Sequence, residues 1–314
     1  MNLPSTRMGQ AINSAWRGDT RAYILLTFAF ICMALNVVTG RAVHDDIPPL
    51  GLSFWRWVFA SAIFLPFTFH RIREQWEMIL ANWKILLTIS LVMIPLGNTL
   101  VYVGLHSTTA LNGGLIPVAR PAIIMVLSYF LFRGSVTRYQ WMGISVAAAG
   151  VVIVLTRGDP AVLTTLDFNR GDLWLIASSV GIACYQTSIG RAPKELYPTV
   201  LLQVTMIIGM IMMAPLYAWE TMTYRPVDFN WVTVGAVLYV ATFPSIVAIY
   251  CINVGIQQIG PARMGIFNYL QPLLVAGIAV PLLGEQLYWY HPIALALVAG
   301  GIVISARRRG KPEP

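Results

Sequence analysis

The chain has 314 residues, of which 57% are hydrophobic and only 11% charged. A soluble domain carries roughly 25% charged residues, so a soluble globular protein is excluded. The formal net charge of +8 comes from 21 basic residues scattered between apolar runs, a pattern that orients a membrane protein rather than one that grips nucleic acid.

In chain order, long apolar runs predict spans over 21–43, 50–69, 83–105, 109–132, 137–155, 171–191, 197–218, 231–256, 261–283 and 289–306. A helix needs ~20 apolar residues to cross a bilayer core, so these runs consume most of the chain and leave no large extramembrane domain. Helices are expected because a backbone in lipid must satisfy its own hydrogen bonds, and the runs lack the alternation of a barrel strand. Residues 1–20 lack the pattern of a cleaved secretory signal and are read as a cytoplasmic tail ahead of a retained anchor. With that end inside, 15 Lys and Arg lie on the cytoplasmic side, while Arg41, Arg157, Arg170 and Arg225 lie outside. Both termini, including the basic tail 307–314, are therefore expected in the cytoplasm, and the protein in the cytoplasmic (inner) membrane. Cys32, Cys184 and Cys251 each sit in an apolar run and read as small fillers, not disulfides.

An offset near 150 residues recurs along the chain. Gly40-Arg41-Ala42 returns as Gly190-Arg191-Ala192, Pro49 and Pro66 as Pro198 and Pro215, and Gly104, Pro121 and Gly150 as Gly255, Pro272 and Gly301. The halves 21–155 and 171–306, joined by an external connection over 156–170, hold five spans each. An odd number inverts the second copy, so the expected fold class is an all-α membrane protein of ten transmembrane helices in two inverted five-helix repeats. Such repeats build paired gates around a midplane site in secondary transporters.

Several residues in this layout resemble the drug/metabolite transporter superfamily, specifically its ten-span EamA type, over nearly the whole chain. They are Gly171-Asp172-Leu173 opening the sixth span, Arg56 within the second, Pro272 in the ninth, Gly284-Glu285 at its end and Gly300-Gly301 in the tenth. Arg133-Gly134 departs from the family, which often has an acid after that glycine. The resemblance implies a small-molecule transporter, often an exporter, whose pathway is lined by spans three, four, eight and nine and flanked by one, two, six and seven. It points towards the aromatic amino acid exporter branch.

Polar side chains fall on those same spans. Asn98, Tyr102 and His106 form one helical stripe, and Tyr250, Asn253 and Gln257 form another. Arg120 matches Gln271 by the repeat, Asn268 precedes Gln271 by one turn, and Asn36 matches Gln186, with Tyr185 beside it. Polar groups in hydrocarbon turn towards the bundle interior, so these positions are candidate substrate contacts, although each also suits a bond to a neighbouring helix. Arg56 and Arg120 are the two charges placed deep in the bilayer. Either suits a carboxylate or phosphate, and Arg56 is read in preference as a structural residue bonded to helix carbonyls. Pro95, Pro117, Pro121, Pro244 and Pro272 are candidate gate hinges or simple bends. Trp76, Trp83, Trp219, Trp231, Trp289 and Tyr290 read as interfacial belts.

No acid is read within the hydrocarbon core, the nearest being Glu220 and Glu285 at span ends, which disfavours direct proton coupling. An intramembrane enzyme lacks its paired aspartates, its H-E-x-x-H motif or a buried lysine. Neither cofactor nor metal is expected; the partners are a small-molecule substrate and the lipid bilayer, not nucleic acid. The expected function is export of small amphipathic metabolites, amino acids with aromatic or apolar side chains, by alternating access. The rival is an exchanger of nucleotide sugars or phosphorylated metabolites.

Overall fold

The structure, a computed structural model, describes residues 5–132, 137–165, 168–193 and 195–306. All of its regular elements are helical. They are α1 (Ser5–Ala42), α2 (Pro49–Glu74), α3 (Trp83–Leu105), α4 (110–132), α5 (Arg138–Leu155), α6 (Arg170–Ser188), α7 (Pro198–Thr223), α8 (231–264), α9 (Leu270–Leu283) and α10 (Tyr290–Ala306), with short pieces at Trp76–Ala81 and Ala161–Thr165. Among the described residues, seven stretches are long and apolar enough to cross a membrane. Phe267–Leu283 and Tyr290–Ile304 are apolar but shorter, reaching roughly 23 to 26 Å at 1.5 Å per residue against a core of ~30 Å. Helix α6 carries Asp172, Ser178, Ser179, Tyr185 and Gln186 among its apolar residues and is not among the seven.

Helix α1 begins at Ser5, so helical structure extends through residues ahead of the apolar stretch Thr20–Ala42; no proline interrupts it after that point. Helical hydrogen bonding in α8 also runs through Gly260 and Pro261 to Met264, where a connection was expected, since proline keeps a helical φ and forfeits only its amide.

The prolines do not break α3, α4 or α8, but change their winding. Ile94–Thr99 around Pro95 and Phe243–Val247 around Pro244 are π-turns, while Ile116–Ala119 around Pro117 is a 3₁₀ turn. Another 3₁₀ turn, Gly265–Tyr269, leads into α9. A π-turn leaves carbonyls without their usual donors, and side chains supply them. Asn98 Nδ2 donates to the Met93 carbonyl at 2.8 Å, and Ser245 Oγ to the Val240 carbonyl at 2.7 Å.

Packing falls into pairs: α5 with α10, α2 with α7, α1 with α8 and α9, and α6 with α3 and α4. Small residues allow the close approaches. A Cβ at Gly171 would lie 2.6 Å from the Gly104 carbonyl oxygen, and one at Gly301 would lie 2.4 Å from that of Gly143. Ala147 and Gly150 share the α5–α10 seam, whereas Gly300 faces open space. Cys32 and Cys251 are buried together with Ala29 and Ala248, and both are free thiols, as is Cys184.

Candidate functional site

At the end of the bundle formed by the turns 43–48, 106–109 and 284–289, side chains bond separate helices to one another. Glu285 accepts from the amides of Ala110 and Leu111 at 2.6 and 2.9 Å, and Glu220 from those of Leu50 and Gly51 at 3.0 and 2.7 Å. Each carboxylate thus covers the free N–H groups at the start of a helix on another element, where the helix dipole favours negative charge. Arg41 donates to the carbonyls of Leu105 and His106 at 3.0 and 3.3 Å.

Beneath this layer lies a buried polar chain. Arg56 donates through Nε to Ser245 Oγ at 2.7 Å and through a terminal nitrogen to the Tyr102 hydroxyl at 2.8 Å. Tyr102 in turn donates to Asn36 Oδ1 at 2.7 Å. The guanidinium lies 4.7 Å from the Trp57 ring centroid, a cation–π contact that partly replaces lost water. Among the described residues no carboxylate pairs with Arg56, so neutral dipoles and rings alone hold this cation. Its partners are side chains, which corrects the reading of helix carbonyls. Gly40 makes room for Tyr102, because a Cβ there would lie 2.9 Å from two of the ring carbons.

Tyr102→Phe should therefore destabilise the protein by about 1–3 kcal/mol, since it strips a buried donor and a buried acceptor of their shared partner. Thermal unfolding in detergent should show a clear drop, and adding Asn36→Ala to the Phe variant should cost little more. Full additivity of the two losses would mean that the chain is not a connected network.

Arg120, Gln186, Asn268 and Gln271 line one cavity of about 130 Å³, together with Pro117, Val118, Pro121 and Ile124. Arg120 enters from just beyond the 3₁₀ turn of α4, Gln186 from the last turn of α6, and Asn268 and Gln271 from either side of the 3₁₀-to-α junction at α9. Helix α6 starts at the bonded end, where Asn169 donates to the Ser107 carbonyl, so its last turn puts the cavity towards the opposite end. The Nε of Arg120 is buried and has no hydrogen-bond partner. A desolvated guanidinium with an unused N–H is chemically suited to a carboxylate or phosphate.

The model of the EamA-like transporter family matches residues 20–156 and again 169–307. The chain belongs to the EamA-like transporter family. This EamA-like transporter is similar to the uncharacterized transporter YyaM of Bacillus subtilis strain 168, 26% identical over 287 residues that cover 90% of this chain and 93% of that protein. It is also similar to the uncharacterized inner membrane transporter YedA of Escherichia coli K12, 24% identical over 291 residues, 86% of this chain and 88% of the other. A solved crystal structure shares the fold with a TM-score of 0.58 at 17% identity, covering 92% of this chain and 97% of the other.

The other candidates whose side chains are described do not line this cavity. Asn36 and Tyr102 belong to the Arg56 chain, and Asn98 is half-buried and bonded to its own helix. Tyr185 packs against the cluster of Trp57, Met93, Ile94 and Met206. Tyr250 is 66% exposed and His106 caps α3. The side chains of Asn253 and Gln257 lie outside the described residues. Of the expected interfacial aromatics, Tyr290 is buried beside His291. Its neighbour Trp289 is exposed.

Two residues escaped the sequence reading. Ser245 carries no signal except its place after Pro244. Asp172 is fully buried, and its Oδ1 accepts from Thr108 at 2.5 Å and from Asn112 at 3.0 Å. The Gly171-Asp172-Leu173 motif did mark it, but its position at a span end hid the burial.

Proposed function

We propose that this EamA-like transporter exports small amphipathic metabolites bearing a carboxylate, foremost amino acids with aromatic or apolar side chains. It does so by alternating access from ten spans arranged as two inverted five-helix repeats, with both termini in the cytoplasm. The observation that carries this reading is the cavity in which Arg120, Gln186, Asn268 and Gln271 meet. Arg120 binds the substrate carboxylate, while the amides of Gln186, Asn268 and Gln271 orient it. Asn253 is proposed to extend the site along α8, and Pro95, Pro117, Pro121, Pro244 and Pro272 to mark where the walls bend. The doubled family match and the proline-centred turns in α3 and α8 support the repeat. The bonded end then faces outward and the cavity faces the cytoplasm.

The cavity presents one guanidinium and no acid, which favours a monoanionic or zwitterionic solute over a nucleotide sugar. Proteoliposomes loaded with a panel of radiolabelled amino acids and phosphorylated sugars test the reading. Saturable flux and counterflow of aromatic or branched amino acids are expected, with steady-state levels independent of an imposed pH gradient. Asn253→Ala should lower this flux without lowering the amount of folded protein. Competition by phosphate esters, or flux that never saturates, would overturn the assignment.

A further inference from the structure

Two histidines face each other at the bonded end. His44 follows α1 and His106 follows α3; their ring centroids are 5.9 Å apart, edge to face. Tyr224, just beyond α7, closes a third side at 6.3 Å from His106. Arg41 grips the backbone carbonyl of His106, and Arg225 donates to that of His44 at 3.4 Å. The Nδ1 of His106 and the Nε of Arg225 are buried without a partner. The nearby acid is Asp45, which pairs with His44 at 3.4 Å but whose side chain is 87% exposed and is weakened by solvent screening.

Two guanidinium groups and two imidazoles thus meet with one screened carboxylate among them. The Nδ1 of His44 meets the Arg41 carbonyl at 2.7 Å, and while the His106 ring is neutral the contact is an aromatic pair bracketed by arginines. A proton on His106 adds a third cation to a half-buried cluster. Repulsion at such distances is substantial where solvent is partly excluded.

We propose that the His44–His106 pair is a pH-sensitive latch that holds the outward side shut and releases it on acidification. This rests on the alternating-access reading but not on the identity of the substrate. Burial, His44 and Arg225 all push the His106 ring below the usual histidine range, against smaller opposing pulls from Asp45 and from a bond to the His44 backbone. The closed form therefore binds the proton more weakly than an opened form with solvated rings. The sign follows from linkage: lowering the pH through the range of an ordinary histidine, about 6.5, shifts the population towards open. One proton shifts it by at most about tenfold per pH unit. Tyr224, Arg41, Arg225 and Asp45 are the other ionisable groups set around the pair.

Spin labels at Ala42→Cys and Ser107→Cys, on a full-length background carrying C32A, C184A and C251A, report the span of the latch without any transported solute. The expected result is one short distance at pH 7.5 and a grown population of longer distances at pH 5.5. His106→Gln should hold the short distance at both pH values, and His106→Arg should give the long one even at pH 7.5. An unchanged distribution in the parent protein, or a full pH response retained in His106→Gln, would overturn the latch. If amino acid flux fails in proteoliposomes while this response persists, the substrate reading fails and the latch stands.

Discussion

Arg120→Gln is expected to weaken transport of carboxylate-bearing solutes by roughly 10- to 100-fold, visible as a raised half-saturation concentration. The estimate is the loss of a hydrogen bond to a charged group, about 1.5–3 kcal/mol, with each 1.4 kcal/mol worth tenfold. The reason for placing the effect here is the buried, unpartnered Nε of Arg120 in a cavity otherwise lined by amides and apolar groups. Glutamine removes the charge and the fork but keeps a donor, so the protein should fold as before. Methyl esters of the same solutes supply the decisive control. The parent protein should discriminate strongly between acid and ester, whereas the Gln variant should treat them alike. Arg120→Lys should recover only part of the loss, because an ammonium cannot offer two parallel N–H groups to one carboxylate. If acid and ester are equally discriminated before and after the substitution, Arg120 does not contact the carboxylate.

Gly301→Val should have the largest effect on folding, and Gly300→Ala next to it should be tolerated or mildly stabilising. A Cβ at position 301 would lie 2.4 Å from the carbonyl oxygen of Gly143 and 2.6 Å from the amide nitrogen of Ala147. Both are backbone atoms of α5, so no side-chain rotation relieves the clash and α10 has to move away. Overpacking in a tight core costs about 1–3 kcal/mol, and a valine against backbone sits at or above that range. A Cβ at position 300 meets nothing within 4 Å, and alanine there gains about 1 kcal/mol of helix propensity. The yield of monodisperse protein in detergent and its unfolding temperature separate the two cases. Equal tolerance at both positions would mean that α5 and α10 do not pack as described.

The pattern of apolar runs was enough to read an all-helical chain, because hydrocarbon leaves the backbone few other choices. The repeat offset placed Arg120 opposite Gln271 and set Asn268 one turn away, and these three do share a cavity with Gln186. What failed was the reading of stripes. Asn98 and Tyr102 lie on one helical face by spacing, yet a π-turn between Ile94 and Thr99 alters the winding beside them. Asn98 then serves its own helix and Tyr102 serves Arg56. Tyr250 is 66% exposed, and Phe243–Val247 shifts the phase of α8 after it relative to the residues before it. A stripe drawn at 3.6 residues per turn holds only until the first change of winding. The sequence shows Gly143, Ala147, Gly150 and Gly300 as small residues, but not that α5 packs against α10, nor that Gly301 rather than Gly300 makes the contact.

The side-chain plugs at the two π-turns have a mechanical consequence. The carbonyls of Met93 and Val240 are each held by a rotatable group, Asn98 and Ser245, five residues further on. Ser245 is also the acceptor for Arg56, whose other arm holds Tyr102, so the π-turn in α8 and the anchoring of that guanidinium share one oxygen atom. Straightening or deepening that bend trades one donor for another instead of stripping an amide bond bare in oil. The helix therefore behaves as a jointed rod whose elbow is wired to the lock above it, and neither shifts without the other registering the change.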